Sequence, residues 1–356
     1  MNGTSEMKTS NMESGKTNLL GMTLEQLQTL CSTEGFPRFT AKQICDWLYR
    51  KRIDDISAMT NLSRVQRSRL EEIAYIGRYS PAHCQISADG TKKYLFNTAD
   101  KAESTHVETV FIPDNDRATL CISCQRGCKM GCRFCVTGQQ GFHGSLSAGE
   151  IINQILSIPE FDQLTNVVFM GMGEPMDNLD AVLDTTRILT SPWGLEWSPK
   201  RITVSTVGII PGLQRFVEQS QCHLAVSLHN PVATERAEIM PVQRAYPIAD
   251  VLALLRRYNW SGQRRLSFEY TMFHQLNDDL AHARMLVDAL RGLPCRVNLI
   301  RFHSSPGTPY KTSSMQAIEK FQNYLNHNGV TCTLRASRGQ DIDAACGLLA
   351  GKEHTS

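Results

Sequence analysis

The spacing of apolar residues divides the chain into a short helical part and a longer part in which strands and helices alternate. In residues 19–76, apolar side chains recur at helical spacing, as at Leu24, Leu27 and Cys31. Three predicted helix starts carry a capping box, in which Ser or Thr is followed three residues later by Gln: Thr23 with Gln26, Thr40 with Gln43, and Ser63 with Gln66. These patterns predict a separate, all-helical N-terminal module.

Residues 84–112 change to the alternation of β-structure. Stretches 93–97 and 107–112 predict two strands that form a hairpin across a turn at 99–103. Glu108 lies inside the second strand among apolar neighbours. An acid at such a position usually faces outward, but if it points into a site, burial raises its pKa and suits it to proton transfer.

From residue 117 onward the pattern alternates between short apolar runs and helical periods. The predicted strands are 118–122, 166–170, 201–205, 222–227, 266–272, 296–301 and 330–334. The predicted helices between them are 147–158, 178–190, 210–219, 247–259, 278–291 and 314–328. Repeated units of this length indicate an α/β fold with parallel strands, and about six of them predict a partial (β/α)6 barrel.

Polar and turn-forming residues follow the predicted strands. They form the loops 171–175, 205–208, 227–231 and 302–307, together with a cysteine-rich loop after the first strand. Because barrels build their sites at the carboxyl ends of their strands, we expect these loops to meet in one site. Any single loop is an ordinary turn, and the glycines at 171 and 173 lack the third glycine of a dinucleotide-binding motif.

The cysteine-rich loop carries the strongest chemical signal. Cys128, Cys132 and Cys135 are spaced so that three thiolates can each hold one iron of a 4Fe–4S cluster, which leaves the fourth iron open to another ligand. A structural zinc is the alternative, with two C-x2-C pairs as ligands: Cys121 with Cys124, and Cys132 with Cys135. The zinc alternative leaves Cys128 unused and places two ligands in or beside an apolar strand.

Charge and composition indicate where the protein is located and which surface could bind phosphates, but they do not indicate the reaction. The formal net charge is only +2, but residues 38–78 carry nine Lys and Arg against five acids. Such an excess fits either a solvated face or a surface for phosphates, and we expect Arg50, Lys51 and Arg52 to contact phosphates. With no secretory signal and no long apolar run, we expect a cytoplasmic protein without a membrane segment, whose cysteines stay reduced.

The domain organisation follows from these patterns. We predict a disordered tail over 1–18, a helical RNA-docking domain over 19–83, a β-hairpin extension over 84–112, a partial barrel over 113–350 and a tail over 351–356. Cys346 lies near the end of the barrel between small residues. Such a position favours either a packed helix end or the close approach of a bulky group.

Several motifs together carry a resemblance to a known family. Phe134 before the third cysteine makes the loop similar to that of radical S-adenosylmethionine (SAM) enzymes. Cys121 seven residues before Cys128, the motifs at 137–142 and 170–175, Ser-Thr-x-Gly at 205–208, Ser-Leu-His at 227–229 and the closing 341–347 resemble the RlmN-type adenine-C2 methyltransferases, of the RlmN/Cfr family. The resemblance covers residues 19–350. It implies a radical SAM barrel that methylates C2 of an adenine in 23S rRNA, at the peptidyl-transferase centre, and of the adenine 3′ of the anticodon in tRNAs.

The resemblance also implies roles for individual residues. Cys128, Cys132 and Cys135 would hold a 4Fe–4S cluster; Cys346 would be the methyl carrier, Cys121 the resolving cysteine and Glu108 the proton acceptor. The SAM contacts would be Gly173, Glu174, Ser205, Ser227, Leu228, His229 and His303. One SAM would methylate Cys346 and a second would start the radical reaction, after which a transient Cys121–Cys346 disulfide would be reduced; a donor such as flavodoxin would supply electrons.

Two positions depart from the family pattern, and two alternatives stay open. Cys124 stands where the family usually has serine, and His303 stands where it often has asparagine. A Cfr-type enzyme shares the same cysteines but methylates C8 of the same ribosomal adenine. A non-catalytic RNA-binding metalloprotein is the alternative from another class, although it would have no use for the combination of Cys121, Cys346 and Glu108.

Overall fold

The N-terminal module contains three short helices, as the sequence predicts. The structure, a computed structural model, describes residues 15–98, 106–262, 264–304 and 308–350. The module consists of β1 (Thr17–Asn18), α1 (Leu24–Thr33), α2 (Thr40–Cys45) with a π-helical continuation over Asp46–Arg50, α3 (Arg64–Ile73) and β2 (Ala74–Tyr75), which pairs with β1 in parallel.

Two of the three predicted capping boxes of this module are confirmed. The side chains of Thr23 and Ser63 each accept a hydrogen bond from the backbone amide of the Gln three residues later. The backbone amides of Thr23 and Ser63 in turn donate to the side-chain oxygen of that Gln. The box at Thr40 is wrong, because Phe39 occupies the cap position of α2 in a helical conformation. Thr40 is instead buried, and its hydroxyl accepts a hydrogen bond from Gln66 Nε2 at 3.3 Å.

An antiparallel extension joins the module to the barrel strands. Its strands are β3 (His83–Ile86), β4 (Lys92–Asn97) and β5 (His106–Asp114), and β5 pairs with β6 (Arg117–Cys121), the first strand of the parallel part. The predicted pairing of two strands is confirmed as β4 with β5, with Leu95 opposite Glu108. The predicted turn at 99–103 lies outside the described residues.

The parallel part has the alternating order that the sequence predicts. After β6 come β7 (Gln125–Gly127), α4 (Val136–Gln139), β8 (Phe142–Ser145), α5 (Ala148–Leu156), β9 (Asn166–Phe169), α6 (Leu179–Thr190), β10 (Ile202–Thr206), α7 (Ile210–Gln219), β11 (His223–Ser227), α8 (Ala233–Ile239), α9 (Ile248–Leu255), β12 (Leu266–Met272), α10 (Leu280–Leu290), β13 (Arg296–Arg301), α11 (Met315–His327) and β14 (Thr331–Leu334). The short elements α4, β7, β8 and α8 are additions to the prediction.

One ten-stranded sheet runs through the molecule in the order β14-β13-β12-β11-β10-β9-β6-β5-β4-β3. The seven strands from β6 to β14 in this order are parallel, which confirms the predicted α/β partial barrel. β12 is buried at all seven of its residues, as expected for a central strand with both faces covered. The predicted domain limits stay predictions, and the one after residue 112 falls inside β5.

Intramolecular contacts of the basic residues hold the N-terminal module against the barrel. Arg50 donates to the carbonyls of Pro192 and Gly194 and pairs with Glu196 at 3.2 Å. Arg52 pairs with Asp162 at 3.2 Å, and Lys51 pairs with Asp46 of its own module at 3.4 Å. These three cations thus have protein partners in the structure, and their contact with phosphates stays a prediction.

Membrane insertion finds no support in the helices. Within the part of the chain that the structure describes, every helix is too short or too polar to cross a bilayer.

Candidate active site

The predicted site residues meet in one cavity at the carboxyl ends of the parallel strands. The cavity lies over the ends of β9 to β13, as expected for a barrel of this type. Its lining contains most of the residues predicted from the sequence: Cys128, Cys132, Cys135, Gly173, Glu174, Ser205, Ser227, His229, His303 and Cys346. Leu228 is the exception among the predicted SAM contacts, because its side chain is completely buried in the hydrophobic core.

Backbone hydrogen bonds and aromatic packing fix the cysteine loop. The loop turns at Gly131, whose φ is +62°, and the amide of Cys135 donates to the carbonyl of Cys132 at 3.1 Å. The Phe134 ring packs against His229, with ring centroids 5.0 Å apart, and against Phe273 at 5.4 Å. The aromatic residue of the motif therefore anchors the loop to the barrel and presents the cysteines on either side to the cavity.

The three thiols of the loop are in an environment in which a positive charge, such as that of iron, is needed to stabilise their thiolates. Burial raises the pKa of all three, that of Cys128 to about 12, and neighbouring thiols raise the pKa of Cys128 and Cys132 further. Among the described residues no three acids, histidines or cysteines converge tightly enough for a single ion. A 4Fe–4S cluster needs less convergence, since each thiolate binds a separate iron, so the three cysteines fit this group.

The grouping of the other cysteines differs from the zinc alternative. Cys121 lies close enough to Cys346 for their charges to interact, and Cys124 lies near Cys128 and Glu174. A zinc site would instead require Cys121 and Cys124 to converge with Cys132 and Cys135. Cys121 and Cys124, which the zinc alternative pairs, therefore have different thiol neighbours, Cys346 and Cys128 respectively.

Glu174 ties two strand-end loops together. Its carboxylate accepts hydrogen bonds from the Thr206 hydroxyl at 2.6 Å, the Val207 amide at 2.9 Å and the Met176 amide at 3.0 Å. Burial raises the pKa of this carboxyl to about 7, although these hydrogen bonds lower it. A positively charged group in the cavity would favour the ionised form.

The loop before Glu174 depends on glycine. Gly173 has a φ of +101°, and a Cβ at this position would lie 2.5 Å from the Cβ of Gln125. The Gln125 side chain in turn accepts from the Glu174 amide at 2.9 Å. Any side chain at 173 would therefore push the loop away from β7 and shift Glu174.

His229 presents a neutral ring with a defined proton. Its Nδ1 accepts from the Thr271 amide at 2.9 Å, so the proton is on Nε2. Burial, and then the charge of Arg236, lower the pKa of this ring to about 3. His229 has a φ of +56°, and its carbonyl accepts from Asn277 Nδ2 at 2.6 Å. The strained backbone thus places a hydrogen-bond donor at the cavity wall.

His303 also lines the cavity but is held more loosely. It is half-buried, and its Nε2 lies 2.7 Å from Ser337 Oγ. Burial, and then the charge of Arg301, lower the pKa of this imidazole. The ring is therefore a neutral hydrogen-bonding group where the family often has an amide.

Cys346 opens to the cavity, whereas Cys121 lies behind it. Cys346 is exposed and lines the cavity, and Cys121 is buried at the end of β6. Burial raises the pKa of the Cys121 thiol, the surrounding cavity walls raise that of the Cys346 thiol by keeping water from it, and the charge of Arg335 lowers both. Arg335 is held by Glu269, with Nε 3.5 Å from Oε2, and its Nη1 lies 3.3 Å from Met170 Sδ.

Two sides of the protein hold the segment that carries Cys346. On the cluster side, the Val136 amide donates to the Gly347 carbonyl at 2.7 Å and the Thr137 hydroxyl to the Leu349 carbonyl at 2.6 Å. On the β-extension side, Asp89 accepts from the Gly339 amide at 2.9 Å, and Asp341 accepts from the Ser87 hydroxyl at 2.5 Å.

Glu108 belongs to this second set of contacts. It is buried, its Oε1 lies 3.3 Å from Lys93 Nζ and its Oε2 accepts from the Ala350 amide at 2.7 Å. It does not line the cavity as the structure describes it. The carboxylate faces inward, contrary to the usual case for an acid in a strand, and lies behind the C-terminal segment.

Comparison with known proteins decides the family. The model of the ribosomal RNA large subunit methyltransferase N-terminal domain matches residues 17–76, and that of the radical SAM superfamily matches residues 122–286. A probable dual-specificity RNA methyltransferase RlmN of Parabacteroides distasonis is 54% identical over 94% of this chain and 97% of its own length. The chain belongs to the RlmN family. A further member, the dual-specificity RNA methyltransferase RlmN of Marinobacter nauticus, is 42% identical over 95% of this chain and 93% of its own.

A solved structure supports the same assignment. The crystal structure of a radical SAM methyltransferase from Sphaerobacter thermophilus superimposes with a TM-score of 0.87 and 39% identity, over 94% of this chain and all of that one. This RlmN-family chain is therefore a radical SAM RNA methyltransferase. Membership of the superfamily implies SAM and an iron–sulfur cluster, for which the cavity supplies the three cysteines of one loop.

Three residues that shape the site of this RlmN-family enzyme escaped the sequence analysis. Glu269 lines the cavity from an apolar strand, the same signal that singled out Glu108. Arg335 follows β14 and gives no local signal. Arg236 is fully buried in α8, where its guanidinium donates to the carbonyls of Val207, Ser227 and Leu228. A charged, short helix predicts an exposed segment, so only the fold reveals this role.

Proposed function

We propose that this RlmN-family enzyme methylates C2 of an adenine in the peptidyl-transferase centre of 23S rRNA and of the adenine 3′ of the anticodon in tRNAs. The observation that carries the proposal is the arrangement of two thiols: Cys346 lines the cavity, and Cys121 lies buried behind it, within range of the charges of Cys346 and Arg335. An RNA methyltransferase that transfers the methyl group directly from SAM to the base would not need two neighbouring thiols outside its cluster loop. The relatives' names, with their dual specificity for RNA, support both substrates.

The residues of the cavity divide the work between holding SAM and carrying the methyl group. When bound, a 4Fe–4S cluster on Cys128, Cys132 and Cys135 supplies the electron that starts the radical chemistry of SAM. Glu174, on the loop after β9, offers a hydrogen-bond acceptor for the polar groups of SAM. The neutral His229, on the loop after β11, offers a donor. Their fixed hydrogen bonds orient SAM without rearrangement of the protein.

Cys346 acts as methyl carrier because it is the thiol that the cavity exposes. Its thiolate would take the methyl group of one SAM, which leaves as S-adenosylhomocysteine. One hydrogen atom of that methyl group would pass to the 5′-deoxyadenosyl group formed from a second SAM, so that the remaining methylene carbon can bond to C2 of the adenine. C2 would then lose its proton, and the surplus electron would return to the cluster. The Cys121 thiolate attacks the Cys346 sulfur, so that an S–S bond forms while the S–C bond breaks. The electron pair goes to the carbon, which takes a proton and becomes the new methyl group. An external reductant must then reduce the disulfide, and a donor such as flavodoxin would supply the electron that starts the radical reaction.

The proton of C2 must be removed before the base leaves. Glu108 is the proposed acceptor, and its carboxylate now binds Ala350 behind the cavity wall. This role therefore requires the C-terminal segment to shift when RNA enters, which would expose Glu108 to the base.

Trapping a covalent intermediate tests the proposal. In Cys121→Ala the resolving step is blocked, so we expect an RNA adduct on Cys346, detected by mass spectrometry of the peptide that contains it. Cys84→Ala is the matched control, because Cys84 is exposed but lies on β3, away from the cavity. Cluster-loaded Cys121→Ala protein that yields only free RNA and unmodified Cys346 would contradict the mechanism. NMR of the methylated nucleoside distinguishes C2 from C8.

A further inference from the structure

The end of the barrel opposite the cavity carries a concentration of positive charge. Parallel strands all begin at the same edge of the sheet, and three neighbouring segments of this edge carry cations. Lys200 and Arg201 precede β10, Arg264 and Arg265 precede β12, and β13 begins at Arg296. We refer to these five residues as the basal cluster.

Four of the five cations in the basal cluster lie close enough to His223 for their charges to act on its ring. His223, at the start of β11, lies between them, and its pKa is lowered to about 4, first by burial and then by the charges of Arg265, Arg264, Lys200 and Arg296. The pKa of Arg265 is likewise lowered by partial burial and by the charge of Arg296. Residues from four stretches of sequence thus share one electrostatic environment.

Carboxylates do not neutralise the cluster. Arg201 donates to the carbonyls of Leu164 and Thr165 and stacks on Trp197 at 4.0 Å. Arg264 donates to the carbonyls of Val217 and Cys222, and its buried Nη2 has no hydrogen-bond partner among the described residues.

The other three members of the cluster, Lys200, Arg265 and Arg296, are exposed. Across the residues that the structure describes, none of the five forms an ion pair with an acid. Some other arginines of the described surface do form such pairs, as Arg187 pairs with Asp184. The excess charge is therefore available to an external anion.

The shape and chemistry of the surface favour nucleic acid. Lys200 and Arg264 line a cleft together with Tyr258 and Trp260. Trp260 is buried and forms part of the wall, whereas the half-buried Tyr258 ring is partly open to the cleft. Cations beside a partly exposed aromatic ring suit a sugar–phosphate backbone and its bases better than an acidic protein surface. The enzyme is already an RNA methyltransferase, so RNA is present at the molecule during every turnover.

We propose that the basal cluster binds the phosphate backbone of the RNA substrate, at a segment remote from the adenine that reacts. The inference rests on the proposed RNA substrates, but not on which carbon of the base is methylated. β12 has seven residues, so the two ends of the barrel are separated by about 23 Å at 3.3 Å per residue. A folded RNA that inserts one base into the cavity reaches this far around the barrel.

The salt dependence of RNA binding tests the proposal. Arg265→Ala with Arg296→Ala removes two exposed cations, and Arg284→Ala with Lys320→Ala is the control, since both residues are exposed on α10 and α11, outside the cluster. Affinity for tRNA and for a 23S rRNA fragment is measured with the cluster-loaded enzyme between 50 and 300 mM salt. We expect the magnitude of the slope of log K against log salt to fall by about 1.4 to 1.8 in the first variant only, because each of the two lost phosphate contacts contributes about 0.7 to 0.9.

Two results would overturn the proposal while leaving the methylation reaction intact. One is an unchanged slope in the Arg265/Arg296 variant, with wild-type binding normal. The other is unchanged RNA binding combined with turnover that falls with a protein reductant but not with dithionite, which would assign the surface to an acidic electron donor. A wild-type enzyme that fails to bind either RNA would instead contradict the substrate assignment, on which the proposal depends.

Discussion

At the scale of single residues, the charge of Arg335 decides how readily the two thiols of the site ionise. Burial raises the pKa of Cys121 and the surrounding cavity walls raise that of Cys346, which disfavours the thiolate that each step requires. Arg335 opposes this effect at both thiols, and Glu269 holds the guanidinium in place. The arginine thus supports the two sulfurs without belonging to a recognisable motif.

We expect Arg335→Gln to raise the pKa of Cys346 and to slow its reaction with iodoacetamide at pH 8 about three- to tenfold, as a rise of half to one pKa unit would. The unmodified fraction of Cys346 is followed by mass spectrometry. Arg335→Lys keeps the charge and should react nearly as fast as the wild type. Because a raised thiol pKa limits the thiolate fraction, the difference should shrink as pH rises to about 10. An equal rate for Gln and wild type at pH 8 would show that Arg335 is only structural.

At the scale of elements, hydrophobic periodicity predicted the parallel strands and the long helices of the fold. Their burial is set locally, because alternating or helical spacing fixes which face meets the core. The short α8 and the cap of α2 were not predictable, since tertiary contacts of Arg236 and Thr40 decide them. The cavity residues were predictable from strand ends and motifs, whereas the position of Glu108 behind Ala350 depends on how the C-terminal segment folds back.

Two aspartates hold the C-terminal segment against the β-extension: Asp89 belongs to the extension and Asp341 to the segment. Asp89 holds Gly339 and Asp341 holds Ser87, so we expect Asp89→Ala with Asp341→Ala to release the segment and to increase the alkylation rate of the buried Cys121 about tenfold. Peptide mass spectrometry after timed iodoacetamide treatment measures this rate. Asp54→Ala, which removes an exposed acid of the N-terminal module, is the control. Continued protection of Cys121 in the double variant would mean that the contacts of Val136 and Thr137 suffice.

The pH dependence of these contacts follows from the aspartate pKa values. Partial burial would raise the pKa of Asp89, but hydrogen bonds from Gly339 and Thr91 lower it, and the Ser87 hydroxyl lowers that of Asp341. A lowered pKa means that the stabilisation is present above the unfolded value of about 3.9 and is lost as pH falls through the folded value. The segment should therefore stay closed between pH 8 and 5 and loosen only in stronger acid.

At the scale of the whole molecule, the position of the N-terminal module relative to the barrel decides which basic surface RNA can use. Arg50 and Arg52 are directed at Pro192, Gly194, Glu196 and Asp162 of the barrel, so their charges serve docking of the module. Lys51, between them, pairs with Asp46 and lies 3.5 Å over the Trp47 ring, both within its own module. Substitution of Arg50 and Arg52, with Lys51 as the neighbouring control, can therefore show whether these cations serve docking of the module or binding of RNA.

We expect Arg50→Ala with Arg52→Ala to lower the stability of the docked module by about 1 to 2 kcal/mol, since partly exposed ion pairs contribute about 0.2 to 1 kcal/mol each and the carbonyl contacts of Arg50 add to this. Urea unfolding, followed by the fluorescence of the tryptophans at the contact, measures the loss. The salt slope of RNA binding should remain that of the wild type. Lys51→Ala should change neither quantity. If the double variant instead kept its stability and lost about two units of slope, phosphates would be the true partners of Arg50 and Arg52, and the module would dock on the barrel through its apolar contacts alone.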